Sequence, residues 1–106
     1  MKKYYVYVIE LDEKVRMHNK FRKKNPKYIK GNGCVYIGQS IRVPKLRFEQ
    51  HKEGYRFNKY ERVYGIRLRP ELYEKYYPIP TRGDAETIEK MLGESLREKG
   101  LGVWYN

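Results

Sequence analysis

The chain has 106 residues, which fits one domain and leaves little mass for a second binding module. Its 24 Lys and Arg against 13 Asp and Glu give a net charge of +11, which favours a polyanionic partner such as DNA or RNA. No stretch approaches the roughly 20 apolar residues that span a bilayer, and the single cysteine, Cys34, excludes an internal disulfide. We therefore expect one cytoplasmic domain over residues 1–106 with no membrane partner.

The first element is a strand over Tyr4–Leu11, because this stretch is dense in aromatic and β-branched residues. Its nearly continuous apolar character predicts burial on both faces, as in a central strand. The basic segment Asp12–Gly33 follows and is either a solvated loop or an arm that grips the phosphate backbone. The candidate DNA contacts in it are Lys20, Arg22, Lys23, Lys24 and Lys27.

The turn Gly31-Asn32-Gly33 leads into a second strand over Cys34–Gly38, which we expect to pair antiparallel with the first. Pro44 suits the first turn of a helix that should run to Glu53 and end at Gly54.

A basic and aromatic segment follows this helix and leads into a third strand, predicted over Glu61–Arg69 from its alternating pattern. In that pattern Tyr64, Ile66 and Leu68 share one face, while Arg67 and Arg69 occupy the other. Three more cations are candidate DNA contacts: Arg56, Lys59 and Arg67.

The last third of the chain predicts a short helical turn over Pro70–Tyr77, then a helix from about Asp84 to just before Gly100. The apolar tail over residues 101–106 should pack back on the sheet. This order predicts an α+β fold, with a small three-stranded antiparallel or mixed sheet flanked by helices.

Three side chains around the second strand suit work on a phosphate. Tyr36 lies in that strand, and Arg47 and His51 lie four residues apart on one face of the next helix. A phenol handles a proton, a guanidinium holds negative charge, and an imidazole moves protons near neutral pH. The plainer alternative is a packed strand aromatic, a surface cation and a histidine at a helix end.

The order of these motifs resembles the GIY-YIG nuclease superfamily. The second tripeptide of that family is intact as Tyr36-Ile37-Gly38, and the first appears as Tyr5-Val6-Tyr7, with tyrosine replacing the leading glycine. Arg47 matches the family's catalytic arginine in the helix that follows, and His51 matches its frequent companion. The likeness extends to a glutamate in a later helix and an asparagine after it, and so covers nearly the whole chain.

The resemblance implies a metal-dependent DNA endonuclease that hydrolyses phosphodiester bonds in duplex or branched DNA, with RNA as a second candidate substrate. Arg47 would hold the scissile phosphate, and Tyr7 or Tyr36 would activate the attacking water. His51 would lower the pKa of that tyrosine. Gly38 and Asn106 would have supporting roles.

The resemblance also implies one divalent cation, Mg²⁺ or Mn²⁺, held by a glutamate of the last helix. Glu86, Glu89 and Glu94 all lie there. At about 100° per residue, Glu89 falls nearest the apolar stripe that must face the core, so Glu89 is the predicted ligand. The alternative function is a nucleic-acid-binding module that uses the same fold without cutting.

Overall fold

A computed structural model describes residues 3–52 and 58–105, with the side chains of His51 and Lys52 outside that description. Within these ranges the protein is a small α+β domain with a mixed four-stranded sheet and four α-helices. The elements in chain order are β1 (Tyr5–Leu11), α1 (Asn19–Lys24), β2 (Cys34–Ser40), α2 (Pro44–Lys52), α3 (Lys59–Tyr64), β3 (Gly65–Leu68), α4 (Arg82–Glu98) and β4 (Gly102–Tyr105).

The strand order is β3-β1-β2-β4, which makes β1 a central strand, as its apolar sequence predicts. β1 pairs antiparallel with β2, as expected, and antiparallel with β3. Gly31 and Gly33 in the loop before β2 have φ values of 95° and 91°, a region in which glycine has no steric penalty.

The predicted three-stranded sheet is wrong by one strand, because the tail forms β4 and pairs parallel with β2. Val103 is fully buried in this strand, and its backbone bonds to the side chain of Asn25. Packing and a distant hydrogen-bonding partner therefore define a strand that is too short to stand out in the sequence.

The predicted strand Glu61–Arg69 is also wrong, because its first half is helical. The side chain of Asn58 accepts hydrogen bonds from the backbone N–H groups of Tyr60 and Glu61, at 2.9 and 3.4 Å, and so caps α3. Tyr60 and Glu61 are the buried residues of this helix. Ile66, which the alternation placed on the apolar face, is 52% exposed.

The basic segment before β2 is more ordered than a solvated loop. It contains a 3-10 helix over Glu13–Met17 and then α1. Phe21 is fully buried against Tyr60 and Trp104, with ring centroids 6.0 and 6.4 Å away. One aromatic anchor thus holds α1 to the sheet while its lysines and arginine remain exposed.

The remaining helices lie close to their predicted positions. α2 begins at Pro44 as expected, whereas its predicted end at Glu53 and Gly54 lies outside the described residues. Two 3-10 turns, Pro70–Leu72 and Glu74–Tyr76, confirm the predicted helical turn. α4 begins at Arg82 instead of Asp84, because the Thr81 hydroxyl caps it by accepting from the Asp84 N–H at 3.0 Å.

The sheet has two differently covered faces. Because side chains alternate along a strand and paired residues share a face, Tyr7, Tyr36 and Gly38 lie on one side with Trp104. We call this side the tyrosine face; Phe21 of α1 and Tyr60 of α3 pack on it through Trp104. The opposite side carries Val103 and Tyr105, and we call it the α4 face because Gly93 of α4 lies directly against the Tyr105 ring.

Candidate active site

Gly38 is the point around which the two motif tyrosines meet. It pairs directly with Tyr7 across the β1–β2 ladder. A Cβ atom at Gly38 would lie 2.5 Å from the Tyr7 hydroxyl oxygen and 3.0 Å from Cε2 of Tyr36. The absence of a side chain at Gly38 therefore lets the Tyr7 ring cross the strand toward Tyr36, and the two ring centroids are 6.3 Å apart.

Arg47 joins this pair. Its guanidinium donates a hydrogen bond to the Tyr7 hydroxyl, and the side chain is half-buried. Burial raises the pKa of Tyr7 far above its ordinary value, and Tyr36 and the Glu61 carboxylate raise it further, while Arg47 acts in the opposite direction. Tyr7 is therefore a neutral phenol at physiological pH, suited to donate a hydrogen bond and poorly suited to accept a proton.

Glu61 is a member of this cluster that the sequence interpretation missed. It is fully buried in α3, and its charge lies close enough to Tyr7 to raise the pKa of that hydroxyl. The missed feature was the spacing Asn58-x-x-Glu61, which is typical of a helix N-terminus with a glutamate three residues past the cap. The alternating apolar pattern that follows it was read as a strand instead.

Glu89 is buried as the helical-face argument predicts, with 4% of its surface exposed. It lies in α4 among Ala85, Leu92 and Leu96, and α4 packs on the face of the sheet opposite to Tyr7 and Tyr36. The carboxylate that raises the pKa of Tyr7 is Glu61 and not Glu89. The structure therefore brings together Tyr7, Tyr36 and Arg47. It places Glu89 in the helix that covers the opposite face of the sheet.

The chemistry of Glu89 nevertheless suits a cation ligand. Its Oε2 atom is buried and has no hydrogen-bond partner in the described part of the chain. Burial, assisted by the nearby Glu86 carboxylate, raises the pKa of Glu89 to about 7. A bound cation would compensate both the missing hydrogen bond and the buried charge, so this carboxylate fits the predicted Mg²⁺ or Mn²⁺.

Residues 3–52 and 58–105 contain no group of three or more His, Cys, Asp or Glu side chains arranged to hold a metal ion. The predicted site does not require such a group, because Mg²⁺ usually keeps several waters and takes only one or two carboxylates.

Three predicted site residues fall outside the described part of the structure: the side chain of His51, Arg56 and Asn106. Their predicted roles stay predictions. The other histidine, His18, packs between Tyr60 and Tyr64 and lies 2.8 Å from the Tyr64 hydroxyl, which fits a structural role.

The predicted DNA-contacting cations differ in how strongly they are engaged by the protein itself. Lys27 forms a salt bridge with Glu98, and Arg67 forms one with Glu10, with 3.1 Å between Nη2 and Oε1. Arg22 donates a hydrogen bond to the backbone oxygen of Arg16 at 2.7 Å. The remaining described cations of this set are exposed on the helices that cover the tyrosine face: Lys20, Lys23, Lys24 and Lys59. The basic surface and the tyrosine cluster thus share one side of the sheet.

Comparisons with models of known protein families, with curated proteins and with solved structures found no match. The GIY-YIG resemblance consequently rests on the sequence motifs alone. No helix within the described residues has the length and apolar character needed to cross a membrane.

Proposed function

We propose that this domain is a divalent-metal-dependent DNA endonuclease that hydrolyses phosphodiester bonds. The observation that carries the proposal is the convergence of Tyr7, Tyr36 and Arg47 around Gly38. These are the motif residues that the family resemblance selects, and they are distant in sequence. Ordinary packing does not require two phenols and a guanidinium to meet at a residue that must lack a side chain.

Each residue of the cluster has a chemical task in this proposal. Arg47 holds the negative charge that develops on the phosphate. Tyr7 stays protonated because burial raises its pKa, so it orients a phosphate oxygen by donating a hydrogen bond. Tyr36, the second phenol of the pair, is assigned to accept the proton of the attacking water.

Glu89 would hold the divalent cation through its unpartnered oxygen. When bound, the cation would supply charge neutralisation to the substrate, and for it to act on the phosphate held by Arg47 the DNA would have to reach the α4 face as well as the tyrosine face. The exposed cations of α1 and α3 would hold the DNA backbone without reading its sequence.

The test is cleavage of supercoiled plasmid with Mg²⁺, with Mn²⁺ and with EDTA. We expect metal-dependent nicking that falls about 100- to 1,000-fold in Arg47→Ala, because a preorganised donor to a developing charge has that effect on rate. Tyr36→Phe should lower the rate comparably while keeping the packing. Lys90→Ala, which removes an exposed cation of α4, is the matched control and should cleave normally.

One observation favours a second candidate, a binding module that does not cut. Glu89 lies on the α4 face, while the two tyrosines lie on the other face of the sheet. If the pure protein leaves supercoiled, branched and single-stranded DNA intact with both metals, yet binds them, the binding function replaces the nuclease. Its affinity should then fall with salt as phosphate contacts are screened.

A further inference from the structure

A pocket of about 520 Å³ lies beside the tyrosine cluster, at the edge of β1 beyond the end of β3. This volume lies within the roughly 300–1,000 Å³ that small-ligand pockets occupy. Most of its wall is apolar or aromatic, and its lining includes Tyr5, Pro44, Lys45, Tyr73, Glu74 and Tyr77.

Two elements link the pocket to the candidate active site. Tyr5 and Val6 of its wall directly precede Tyr7 in β1, and Pro44 and Lys45 lie in the first turn of α2, before Arg47. A group seated in the pocket would therefore be a neighbour of a phosphate held by Arg47.

The aromatic part of the wall is preassembled for stacking. The rings of Tyr5 and Tyr77 lie parallel, with centroids 5.0 Å apart and planes 8° apart. Tyr77 is 46% exposed, so its ring remains accessible, while Tyr73 is buried and closes the pocket. Tyr5 occupies the position at which the family's first tripeptide has glycine, so one of these rings exists only because this chain departs from that motif.

Charges surround the rings in a pattern that suits a nucleotide. The ammonium of Lys3 lies 5.8 Å from the centre of the Tyr77 ring, and Lys45 is exposed at the pocket wall. Both carry a positive charge that can attract the phosphates next to a seated base. Glu74 adds a carboxylate that can accept a hydrogen bond from an exocyclic amino group. A lipid chain or an apolar peptide would use the rings but not these charges.

Resting on the proposed function, we propose that this pocket takes one unpaired DNA base next to the scissile phosphate. Bases stack on aromatic side chains regardless of sequence, and an unpaired base can leave its stack at less cost than a paired one. The preferred substrate class is therefore DNA with a single-stranded branch or flap, in preference to blunt duplex.

The test measures binding in EDTA, so that cleavage does not interfere. The probe is a fluorescein-labelled duplex with a one-nucleotide flap, compared with the same duplex whose flap is abasic, and with the blunt duplex. Wild-type protein should bind the base-containing flap more tightly than the abasic one. Tyr77→Ala should weaken that binding roughly 5- to 150-fold, to the abasic level, and leave blunt duplex within about twofold.

Tyr77→Phe, which keeps the ring and removes the hydroxyl, is the matched control and should bind the base-containing flap like wild type. Thermal unfolding of each variant checks that the fold is intact. Equal wild-type affinity for base and abasic flaps, or an unchanged affinity in Tyr77→Ala, would overturn the pocket proposal.

A separate plasmid assay with Mg²⁺ distinguishes the two proposals. Discrimination between base and abasic flaps without any cleavage would keep the pocket and reject the nuclease. Cleavage without discrimination would keep the nuclease and reject the pocket.

Discussion

The two faces of the sheet bury a carboxylate in different surroundings. On the tyrosine face, the buried Glu61 carboxylate lies close enough to the Tyr7 phenol to raise its pKa, and Arg47 donates a hydrogen bond to the same phenol. On the α4 face, the one buried carboxylate of α4, Glu89, lies among apolar side chains with an oxygen that has no partner in the described residues. The proposed function therefore assigns the phosphate to the first face and the cation to the second.

The sharpest test of this division compares the two buried carboxylates. Glu89→Gln should abolish Mn²⁺ binding, measured by paramagnetic broadening or calorimetry, and should lower cleavage at least about 100-fold. Glu61→Gln should keep the Mn²⁺ affinity and lower cleavage by about tenfold, because it perturbs the cluster around Tyr7 without removing a ligand.

The reverse result would break the division. If Glu61→Gln loses the metal and Glu89→Gln retains it, the cation belongs with the tyrosines, and Glu89 is only a buried structural acid.

Asn25, which follows α1, connects that helix to β4 and to α4. We expect its side chain to contribute more to stability than any other polar side chain discussed here. Its amide donates to the backbone oxygens of Phe21 and Val103, at 2.7 and 3.0 Å, and its oxygen accepts from the Val103 N–H and from Arg97 Nε, at 2.7 and 3.1 Å. Asn25→Ala should lower the unfolding free energy by about 2–4 kcal/mol, because it leaves several buried groups without a partner.

Urea denaturation measures this loss. The matched control is Asn32→Ala, which removes one exposed hydrogen bond to the Lys99 carbonyl and should cost less than about 1 kcal/mol. If Asn25→Ala loses no more stability than Asn32→Ala, the association of α1, β4 and α4 does not depend on the Asn25 hydrogen bonds.

Gly38 on the tyrosine face and Gly93 on the α4 face each have a tyrosine ring pressed against them, which allows a paired test. Gly38→Ala and Gly93→Ala should each destabilise the fold by about 1–3 kcal/mol, because the rings of Tyr7 and Tyr105 must move. Only Gly38→Ala should also lower the cleavage rate of the folded protein, since only Tyr7 belongs to the cluster.

The assay is plasmid nicking at a temperature at which circular dichroism shows both variants folded. Equal loss of activity in the two variants would show that cleavage reports general packing and not the geometry of the tyrosine face.

The last prediction concerns the pH dependence of stability. The pKa of Glu89 is about 7 in the fold against an ordinary value of 4.5, so the folded state binds the extra proton and stability falls as pH rises from about 4.5 to 7. Glu89→Gln removes this loss. In EDTA its melting temperature should exceed that of wild type at pH 8 by several degrees, at about 4–8 °C per kcal/mol, and by less at pH 5.

Glu94→Gln, which changes an exposed carboxylate on the same helix, should show no such pH-dependent gain. Mn²⁺ at pH 8 should raise the melting temperature of wild type and not that of Glu89→Gln. A gain that does not change between pH 5 and pH 8 would contradict the buried-acid interpretation.

Local sequence patterns predicted the strands and helices whose signals are strong within a few residues. The apolar density of β1, the turn before β2 and the proline at the start of α2 are such signals, and these elements lie where predicted. β4 could not be predicted in this way, because it depends on Asn25, which is 78 residues away. α3 has a local signal in the cap spacing Asn58-x-x-Glu61, but the alternating pattern that follows it favoured a strand.

The same distinction holds for the candidate site. The tyrosine pair and Arg47 were predictable because they stand in compact motifs, and the structure brings them together. The proximity of Glu61 arises because α3 covers the tyrosine face, and local periodicity contains no information about which elements meet. The helical stripe predicted that Glu89 is buried, but it could not predict which face of the sheet α4 covers.

The pairing of Tyr7 with Gly38 has a consequence for folding. Side chains alternate with a period of two, so a slip of one residue between β1 and β2 would send Tyr7 to the side opposite Tyr36. A hairpin mispaired in this way would retain many backbone hydrogen bonds and still lack the cluster. If the proposed cleavage is observed, its specific activity would report strand register directly and would reveal misregistered molecules that a measurement of secondary structure alone would count as native.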